Sequence, residues 1–366
     1  MHTFAASGAT ALALLLAAPA AAQPAGSLTE VATFPTQQIT GVSVSRAGRV
    51  FVNLPRWTVD VPVSVGEVKD GRITPFPDAA WNGYRNTSRT NQPGSQFVCV
   101  QSVVVDHGDN LWVLDPASPG QEGPVKGGPK LVRIDLKTNK VTRILAFDEK
   151  SAPPGSYLND VRFSPDDAFA YMTDSGVKGA LVVADLRSGR SWRVLDGDPS
   201  TQVDRSVTVT ADGAPLRRPD GRQPQFAADG IALSPDGGTL YWQALTGETL
   251  YSVSTAALRD PSGAAAVRAT AVAKTHVTDG LWMDREGRLY LTNPGASSIE
   301  VAERPGAPLR TLAQDARLRW PDTFSQGPDG AIYVTASHIQ DSPWFKPQAT
   351  TTPSAIFKVP SSARGR

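Results

Sequence analysis

The chain has 366 residues, and its 36 Lys and Arg side chains nearly balance its 35 Asp and Glu side chains, which leaves a formal charge of +1. Because no lysine or arginine cluster is present, neither a nucleic acid nor an anionic membrane is favoured as a partner, and we expect a small-molecule ligand. A single cysteine, Cys99, excludes an internal disulfide framework, so stability must come from packing and strand closure.

The first 22 residues have the pattern of an export signal. Residues 9–18 form an Ala/Leu-rich run, and alanines at 20–22 before Gln23 offer small side chains for cleavage. The apolar run is broken by Pro19 and is shorter than the about 20 residues that cross a membrane. The sequence therefore predicts a signal peptide over residues 1–22, a mature chain that is not inserted in a membrane, and a periplasmic or extracellular location.

One motif recurs six times in the remaining residues, 23–366. Each copy has a polar residue, an apolar strand, a turn rich in Pro, Asp and Gly, and a second apolar strand. Each copy predicts a β-hairpin, because Pro presets the backbone of the turn and Gly accepts its left-handed position. In chain order the copies are Thr40–Val52, Val100–Val113, Leu158–Tyr171, Ala228–Trp242, Thr278–Leu291 and Pro321–Val334.

Further strand-like stretches follow most copies, and four strands per repeat are typical of a propeller blade. The last copy is short, but it is completed if residues 28–32 pair with residues 356–359 in one blade and so close the ring. We therefore predict an all-β, single-domain six-bladed β-propeller over residues 23–366. A β-sandwich or several small β domains are alternatives, but neither explains six copies of one hairpin.

Aligning the copies on their turns places six residues at one equivalent position: Thr40, Gln101, Asn159, Asp229, Asp279 and Asp322. If these residues begin the innermost strands, they converge at one end of the central channel. Oxygen ligands suit Ca²⁺ or Mg²⁺, which could polarise a substrate carbonyl. Without a metal, clustered carboxylates would raise a pKa and act as acid or base, or would attract a cationic amine. The alternative is that each Asp hydrogen-bonds the backbone of its own turn.

Several aromatic residues and two histidines lie near these positions. Trp282, Trp320 and Phe324 are predicted to line a ligand pocket, with packing between blades as the alternative. His276 and His338 are candidate acids or bases at the rim. The sequence contains no G-x-S-x-G, Walker, H-E-x-x-H or C-x-x-C motif, which argues against a serine hydrolase, a P-loop nucleotide site and a zinc peptidase.

Three stretches carry a family resemblance: residues 228–251, 278–293 and 319–337 are similar to the major royal jelly protein/yellow family, including its bacterial branch related to dopachrome tautomerase. The resemblance implies a six-bladed propeller and either conversion of dopachrome or binding of biogenic amines. A more distant resemblance is to gluconolactonase/regucalcin-like propellers. That resemblance implies a divalent-metal site at Asn159, Asp229 and Asp279, although Thr40 stands where those propellers have Glu.

The sequence predicts an exported propeller that binds a small organic ligand at one channel mouth. An alternative is an enzyme at the same site, either a metal-dependent lactonase or a dopachrome-type isomerase. A third is a protein-interaction propeller with an exposed apolar patch. The predicted residues are Gln101, Asn159, Trp282, Trp320 and Phe324 for the ligand, Asn159, Asp229 and Asp279 for one Ca²⁺ or Mg²⁺, and Asp322 and His338 for proton transfer.

Overall fold

Six four-stranded antiparallel sheets dominate the part of the chain that the computed structural model describes, Met1 and residues 28–361. The sheets are arranged as the blades of a β-propeller, as the sequence predicts. Apart from Met1, the predicted signal peptide of residues 1–22 lies outside the described residues.

The strands follow the blades in chain order, except that the first strand, β1 (Thr29–Phe34), belongs to the last blade. Blade 1 contains β2 (Gly41–Val44), β3 (Val50–Asn53), β4 (Val65–Lys69) and β5 (Arg72–Pro75). Blade 2 contains β6 (Ser102–Val105), β7 (Asn110–Asp115), β8 (Lys130–Asp135) and β9 (Lys140–Ala146). Blade 3 contains β10 (Leu158–Phe163), β11 (Phe169–Asp174), β12 (Ala180–Asp185) and β13 (Ser191–Val194).

The connection from blade 3 to blade 4 contains a small hairpin of β14 (Thr210–Ala211) and β15 (Ala214–Pro215). Blade 4 contains β16 (Ala228–Leu233), β17 (Thr239–Ala244), β18 (Thr249–Ser254) and β19 (Thr270–Lys274). Blade 5 contains β20 (Leu281–Met283), β21 (Leu289–Asn293), β22 (Ser298–Ala302) and β23 (Arg310–Gln314). Blade 6 contains β24 (Pro321–Gln326), β25 (Ile332–Ala336), β26 (Ser354–Val359) and β1.

Helical structure in the described residues is short. One α-helix spans Thr255–Leu258, and the 3₁₀ turns are Pro119–Gln121, Pro199–Thr201, Pro261–Ala266 and Ile339–Asp341. Within the described ranges, no helix is long and apolar enough to span a membrane.

The two ends of the propeller close the ring. Strand β1 pairs antiparallel with β26, from Thr29 opposite Lys358 to Phe34 opposite Ser354. The first strand of each blade contacts that of the next, from β2 through β6, β10, β16, β20 and β24 back to β2. This confirms the predicted closure, which leaves β26 without an open edge.

Large aromatic side chains pack between neighbouring blades. Trp112 of blade 2 stacks on Phe163 of blade 3, with ring centroids 5.0 Å apart. Trp242 is fully buried in the cluster shared by blades 3 and 4, and its indole nitrogen donates to the Ser200 carbonyl over 2.9 Å. Burial of this apolar surface is the main stabilising contribution in a fold without disulfides.

Candidate functional site

The predicted equivalent positions do lie at the start of the innermost strands. Thr40 and Gln101 immediately precede β2 and β6, and Asp279 lies two residues before β20. The remaining members lie within the first two residues of their strands: Asn159 in β10, Asp229 in β16 and Asp322 in β24. The repeat thus brings one residue from each blade to the same end of the channel.

Five of these residues line one small chamber: Gln101, Asn159, Asp229, Asp279 and Asp322. Its cavity volume is about 20 Å³, enough for about one water molecule or one group of that size. Thr40 is absent from the lining, and its hydroxyl instead accepts a 2.8 Å hydrogen bond from the Asn53 amide. The chamber, defined by these five residues, therefore has an acidic side from blades 4 to 6 and an amide side from blades 2 and 3.

The acidic side holds three buried carboxyl groups. Asp229, Asp279 and Asp322 are 4%, 7% and 6% exposed. Asp279 accepts a 2.5 Å hydrogen bond from the indole nitrogen of Trp320 and is also hydrogen-bonded to the Asp229 carboxyl group. A hydrogen bond between two carboxyl groups requires a proton on one of them, and the raised pKa of Asp229 favours the proton on that group.

Burial shifts the pKa values of all three groups upwards, and repulsion from neighbouring carboxylates adds to the shift. Burial, followed by repulsion from Asp279, raises the pKa of Asp229 well above its usual value. The same two causes raise the pKa of Asp322. Burial raises the pKa of Asp279 to about 6, although hydrogen bonds from Trp320 and Asp229 oppose the shift. Such a cluster holds protons near neutral pH and would release them to solvent when a cation binds among the carboxyl groups.

The amide side is neutral and held in a hydrogen-bonded chain. The Tyr157 hydroxyl donates to Gln101 Oε1 over 2.8 Å and accepts from the Trp57 indole nitrogen over 2.6 Å. Gln101 Nε2 donates to Asn159 Oδ1 over 3.3 Å, and Asn159 Nδ2 donates to the Ser175 hydroxyl over 2.9 Å. Burial raises the pKa of Tyr157 well above its usual value, so the phenol stays a neutral donor.

Glycines following two of the aspartates allow the inner strands to approach closely. A Cβ atom added to Gly280 would lie 1.7 Å from the Asp322 carbonyl oxygen, and one added to Gly230 would lie 2.5 Å from the Asp279 carbonyl oxygen. Only glycine fits such an approach. Turn capping is performed by other aspartates, such as Asp284, which accepts from the Arg288 backbone at 2.9 Å. The Asp-Gly pairs thus place carboxyl groups of adjacent blades side by side.

Aromatic side chains form the remaining wall of the chamber. Trp320 is buried, and Trp57 stacks on Trp344 with ring centroids 5.0 Å apart. Phe226 completes this wall with Leu245 and Ile339. The sequence predicted Trp320 here but missed Trp57, Phe226 and Trp344, because these residues lie in loops that do not share the repeat.

The structure places Trp282 and Phe324 away from the chamber. Both line a cavity of about 480 Å³ around the other ends of the inner strands and their turns. Both also pack on Tyr290, with centroid distances of 5.3 Å for Trp282 and 6.3 Å for Phe324. They therefore do not join the predicted ligand pocket at the acidic end.

The two candidate histidines also lie outside the lining of the chamber. His338 Nδ1 is 3.1 Å from Asp341 Oδ2, beside the ion pair of Asp341 with Arg319. His276 Nε2 is 3.1 Å from Glu300, and its Nδ1 is 2.9 Å from the Val277 carbonyl. Asp322 is therefore the only one of the two predicted proton-transfer residues that faces the chamber.

The predicted metal ligands are engaged with protein groups. Asn159 Oδ1 accepts from Gln101, while Asp229 and Asp279 hydrogen-bond each other. Among the described residues, no group of three or more His, Cys, Asp or Glu side chains is placed to hold a metal ion. These side chains therefore do not form a ready coordination shell. A Ca²⁺ or Mg²⁺ site stays a prediction, which the melting temperature after chelation and metal addition would test.

A larger cavity adjoins the chamber on the solvent side. This vestibule, of about 590 Å³, is bordered by Gln121, Tyr157 and Phe226, which also line the chamber. Its outer wall is formed by Arg217, Arg218 and Arg222, from the connection between blades 3 and 4. The volume lies within the range of small-molecule sites.

Fold and site together define a class: a six-bladed β-propeller with an acidic and aromatic chamber at one channel mouth. The family model for major royal jelly protein matches residues 98–339, which is more than half of the chain. The chain therefore belongs to the major royal jelly protein family.

Curated relatives match over part of their length. Major royal jelly protein 5 of Apis mellifera is 26% identical over 221 residues, 57% of this chain and 34% of that protein. Dopaminechrome tautomerase of Drosophila melanogaster is 29% identical over 166 residues, 40% of this chain and 34% of that protein. Protein yellow of Drosophila guanche is 28% identical over 236 residues, 58% of this chain and 38% of that protein. The matches thus span about a third of these relatives.

Solved structures show the same fold at low sequence identity. A gluconolactonase from Xanthomonas campestris has a TM-score of 0.55 and 13% identity, and the match covers 92% of this chain and 90% of that one. The calcium-binding protein regucalcin from Agrobacterium tumefaciens has a TM-score of 0.53 and 16% identity, covering 91% and 96%. These likenesses concern the fold alone.

Proposed function

We propose that this protein binds a small organic cation, an aromatic amine, with the ammonium group in the chamber and the ring against the adjoining aromatic side chains. The observation that carries the proposal is the meeting of three buried carboxyl groups, Asp229, Asp279 and Asp322, in one small chamber. A cation in the chamber would relieve the repulsion that raises their pKa values.

The shape of the site supports an ammonium group rather than a larger head group. The chamber admits only a group of about the size of one water molecule, whereas the vestibule has room for a ring. Phe226 and Tyr157 border both cavities, and Trp344 faces the chamber, so aromatic surface surrounds the path of the cation. Such faces attract cations through the ring quadrupole.

Calorimetric titration with tyramine and dopamine tests the proposal. Asp279→Asn keeps the shape of the side chain but removes its charge, and we expect a loss of affinity of at least tenfold, about 1.4 kcal/mol. Asp236→Asn is the matched control, because Asp236 is exposed in the turn of blade 4 and the charge change is the same. Equal affinities for the wild type and Asp279→Asn would contradict the proposal.

An isomerase at the same site is the second candidate function. The raised pKa values of the neighbouring Asp229 and Asp279 favour it, because a carboxyl group with a pKa of about 6 can give or take a proton near neutral pH. Asp322 would supply the second carboxyl group of such a transfer. The similarity to a protein named dopaminechrome tautomerase adds support. Conversion of an aminochrome by the wild type, and its loss in Asp229→Asn, is the test.

Export is part of the proposed function. The Ala/Leu-rich run at residues 9–18, followed by small residues at 20–22, supports cleavage before Gln23. Mass spectrometry of the protein from culture medium and from the periplasm would show whether the mature chain begins there and which compartment contains it.

A further inference from the structure

The vestibule and the chamber carry charges of opposite sign. Three carboxyl groups face the chamber, whereas three arginines, Arg217, Arg218 and Arg222, line the vestibule. Among the described residues, Glu122 is the only acidic side chain that lines the vestibule. A group held at the border between the two cavities therefore has carboxyl groups on its inner side and guanidinium groups on its outer side, so an ammonium and a carboxylate on the same carbon atom can each face the opposite charge.

Of these three arginines, Arg218 is the one whose guanidinium has no hydrogen-bond acceptor among the described residues. Arg222 pairs with Asp220 at 2.6 Å, and Arg217 donates to the Gly221 carbonyl at 3.1 Å. Within the described part of the chain, the Arg218 guanidinium makes neither an ion pair nor a hydrogen bond. It lies over the ring of Trp344, 5.3 Å from the centroid. Trp344 lines the chamber, so the five N–H donors of the Arg218 guanidinium are available at the border of the chamber.

The segment that carries Arg218 is held in place on both sides. The backbone nitrogen of Arg218 donates to the Arg222 carbonyl over 2.7 Å, which closes a turn. The preceding Leu216 is buried in the same cluster as Trp57 and Trp320. Arg319 forms two 2.8 Å hydrogen bonds to Asp212 in the β14–β15 hairpin. The backbone that carries Arg218 is therefore fixed by packing and by the Arg319–Asp212 ion pair before any ligand arrives, and the Trp344 ring is the contact of the guanidinium itself.

A second polar group in the vestibule also lacks a partner. Gln223 Oε1 is buried and accepts no hydrogen bond from any residue that the structure describes. An orphaned acceptor costs free energy unless a donor meets it. This oxygen is shielded from solvent, so the contact that the loop offers to a ligand is the free guanidinium of Arg218, which matches an anionic group.

We propose that the vestibule contains an anion subsite centred on Arg218, and that the ligand is a zwitterion of the aromatic amino acid class. The ammonium group enters the chamber, the carboxylate pairs with Arg218, and the ring lies in the vestibule. A guanidinium suits a carboxylate because it can donate two parallel hydrogen bonds. This inference rests on the proposed function, because the ammonium group occupies the chamber of that proposal.

Pairs of ligands that differ only in the carboxylate test the inference. Calorimetric titrations would compare tyrosine with tyramine, and tryptophan with tryptamine. In the wild type we expect each amino acid to bind at least tenfold more tightly than its amine. In Arg218→Gln we expect that preference to fall to about twofold or less, while the amines bind at least as tightly as to the wild type, because a positive charge near their ammonium group is removed. Arg218→Lys, which keeps the charge, should restore part of the preference.

The controls separate this inference from the proposed function. Arg72→Gln makes the same charge change on an exposed residue of β5 and should leave both affinities unchanged. Equal binding of amines and amino acids by the wild type and by Arg218→Gln would overturn the inference and leave amine binding intact. Failure of the wild type to bind either member of a pair would overturn both proposals. Melting curves of the Arg218 variants should match the wild type, because Arg218 is only half-buried.

Discussion

At the scale of single residues, the chamber concentrates groups that would each be more stable in water. Asp229, Asp279 and Asp322 are all less than 10% exposed, and none of them forms an ion pair in the described structure. Burying carboxyl groups in this way costs free energy, and the molecule reduces that cost by keeping protons on the cluster. Residues that cost stability and gather in one cavity are characteristic of a functional site.

The raised pKa of Asp279 makes the stability of the fold depend on pH. The group titrates at about 6 in the native state against 3.8 as its ordinary value, so between these values the native state holds a proton that the unfolded state has lost. The free energy of unfolding should therefore fall as the pH rises from about 4 to about 6, by up to roughly 3 kcal/mol.

Urea unfolding of the wild type and Asp279→Asn at pH 4, 5, 6 and 7 measures this dependence. We expect a smaller decrease in Asp279→Asn, because the substitution removes one titrating group and weakens the repulsion on Asp322. Asp236→Asn should behave like the wild type. The same pH dependence in all three proteins would contradict the assignment of the shift to Asp279.

At the scale of strands, the repeat explains why the polar site residues could be predicted from the sequence and why two of the aromatic residues were placed at the wrong end of the channel. The six aligned copies predicted that the residue at the start of each hairpin lies at one mouth of the channel, because every inner strand begins at the same end. Trp282 and Phe324 were predicted at that end too, but they lie three and two residues beyond Asp279 and Asp322. A strand advances about 3.3 Å per residue, which carries these rings roughly 7–10 Å towards the other mouth.

The loops contributed the residues that no repeat could reveal. Trp57, Phe226 and Trp344 come from connections of unequal length in different blades, so an alignment of hairpins carries no information on them. Arg218 lies on the insertion between blades 3 and 4, which contacts blade 6 through the ion pair of Asp212 with Arg319. Such long-range contacts are decided by tertiary packing rather than by local sequence.

Because the chain just before β20 lies close to β24, we expect a substitution of Gly280 to destabilise the protein. In Gly280→Ala the new methyl group would lie 1.7 Å from the Asp322 carbonyl oxygen, so the strands must separate. We expect the free energy of unfolding to fall by about 1–3 kcal/mol, as for other overpacked sites. Gly94→Ala is the control, because its nearest neighbour would be 3.7 Å away. Urea unfolding that shows equal stability for both variants would show that the strands do not touch in this way.

At the scale of the whole molecule, the closed ring gives the site its rigidity. Each blade contributes its innermost strand to the channel wall, and the pairing of β1 with β26 completes the last blade. The architecture and its closure could be predicted from sequence, because six hairpins and two complementary ends leave few other arrangements. Family membership agrees with that architecture. The proposed ligand, in contrast, is inferred from three carboxyl groups that only the folded ring brings together.

The proton balance of amine binding tests the central claim most directly. Tyramine would be titrated into the wild type at pH 6 in buffers of different ionisation enthalpy, which gives the number of protons exchanged on binding. An ammonium group among Asp229, Asp279 and Asp322 must lower their pKa values, so we predict the release of between half a proton and one proton, and a smaller release in Asp279→Asn. Binding without proton release would place the amine elsewhere, and no binding would contradict the proposed function itself.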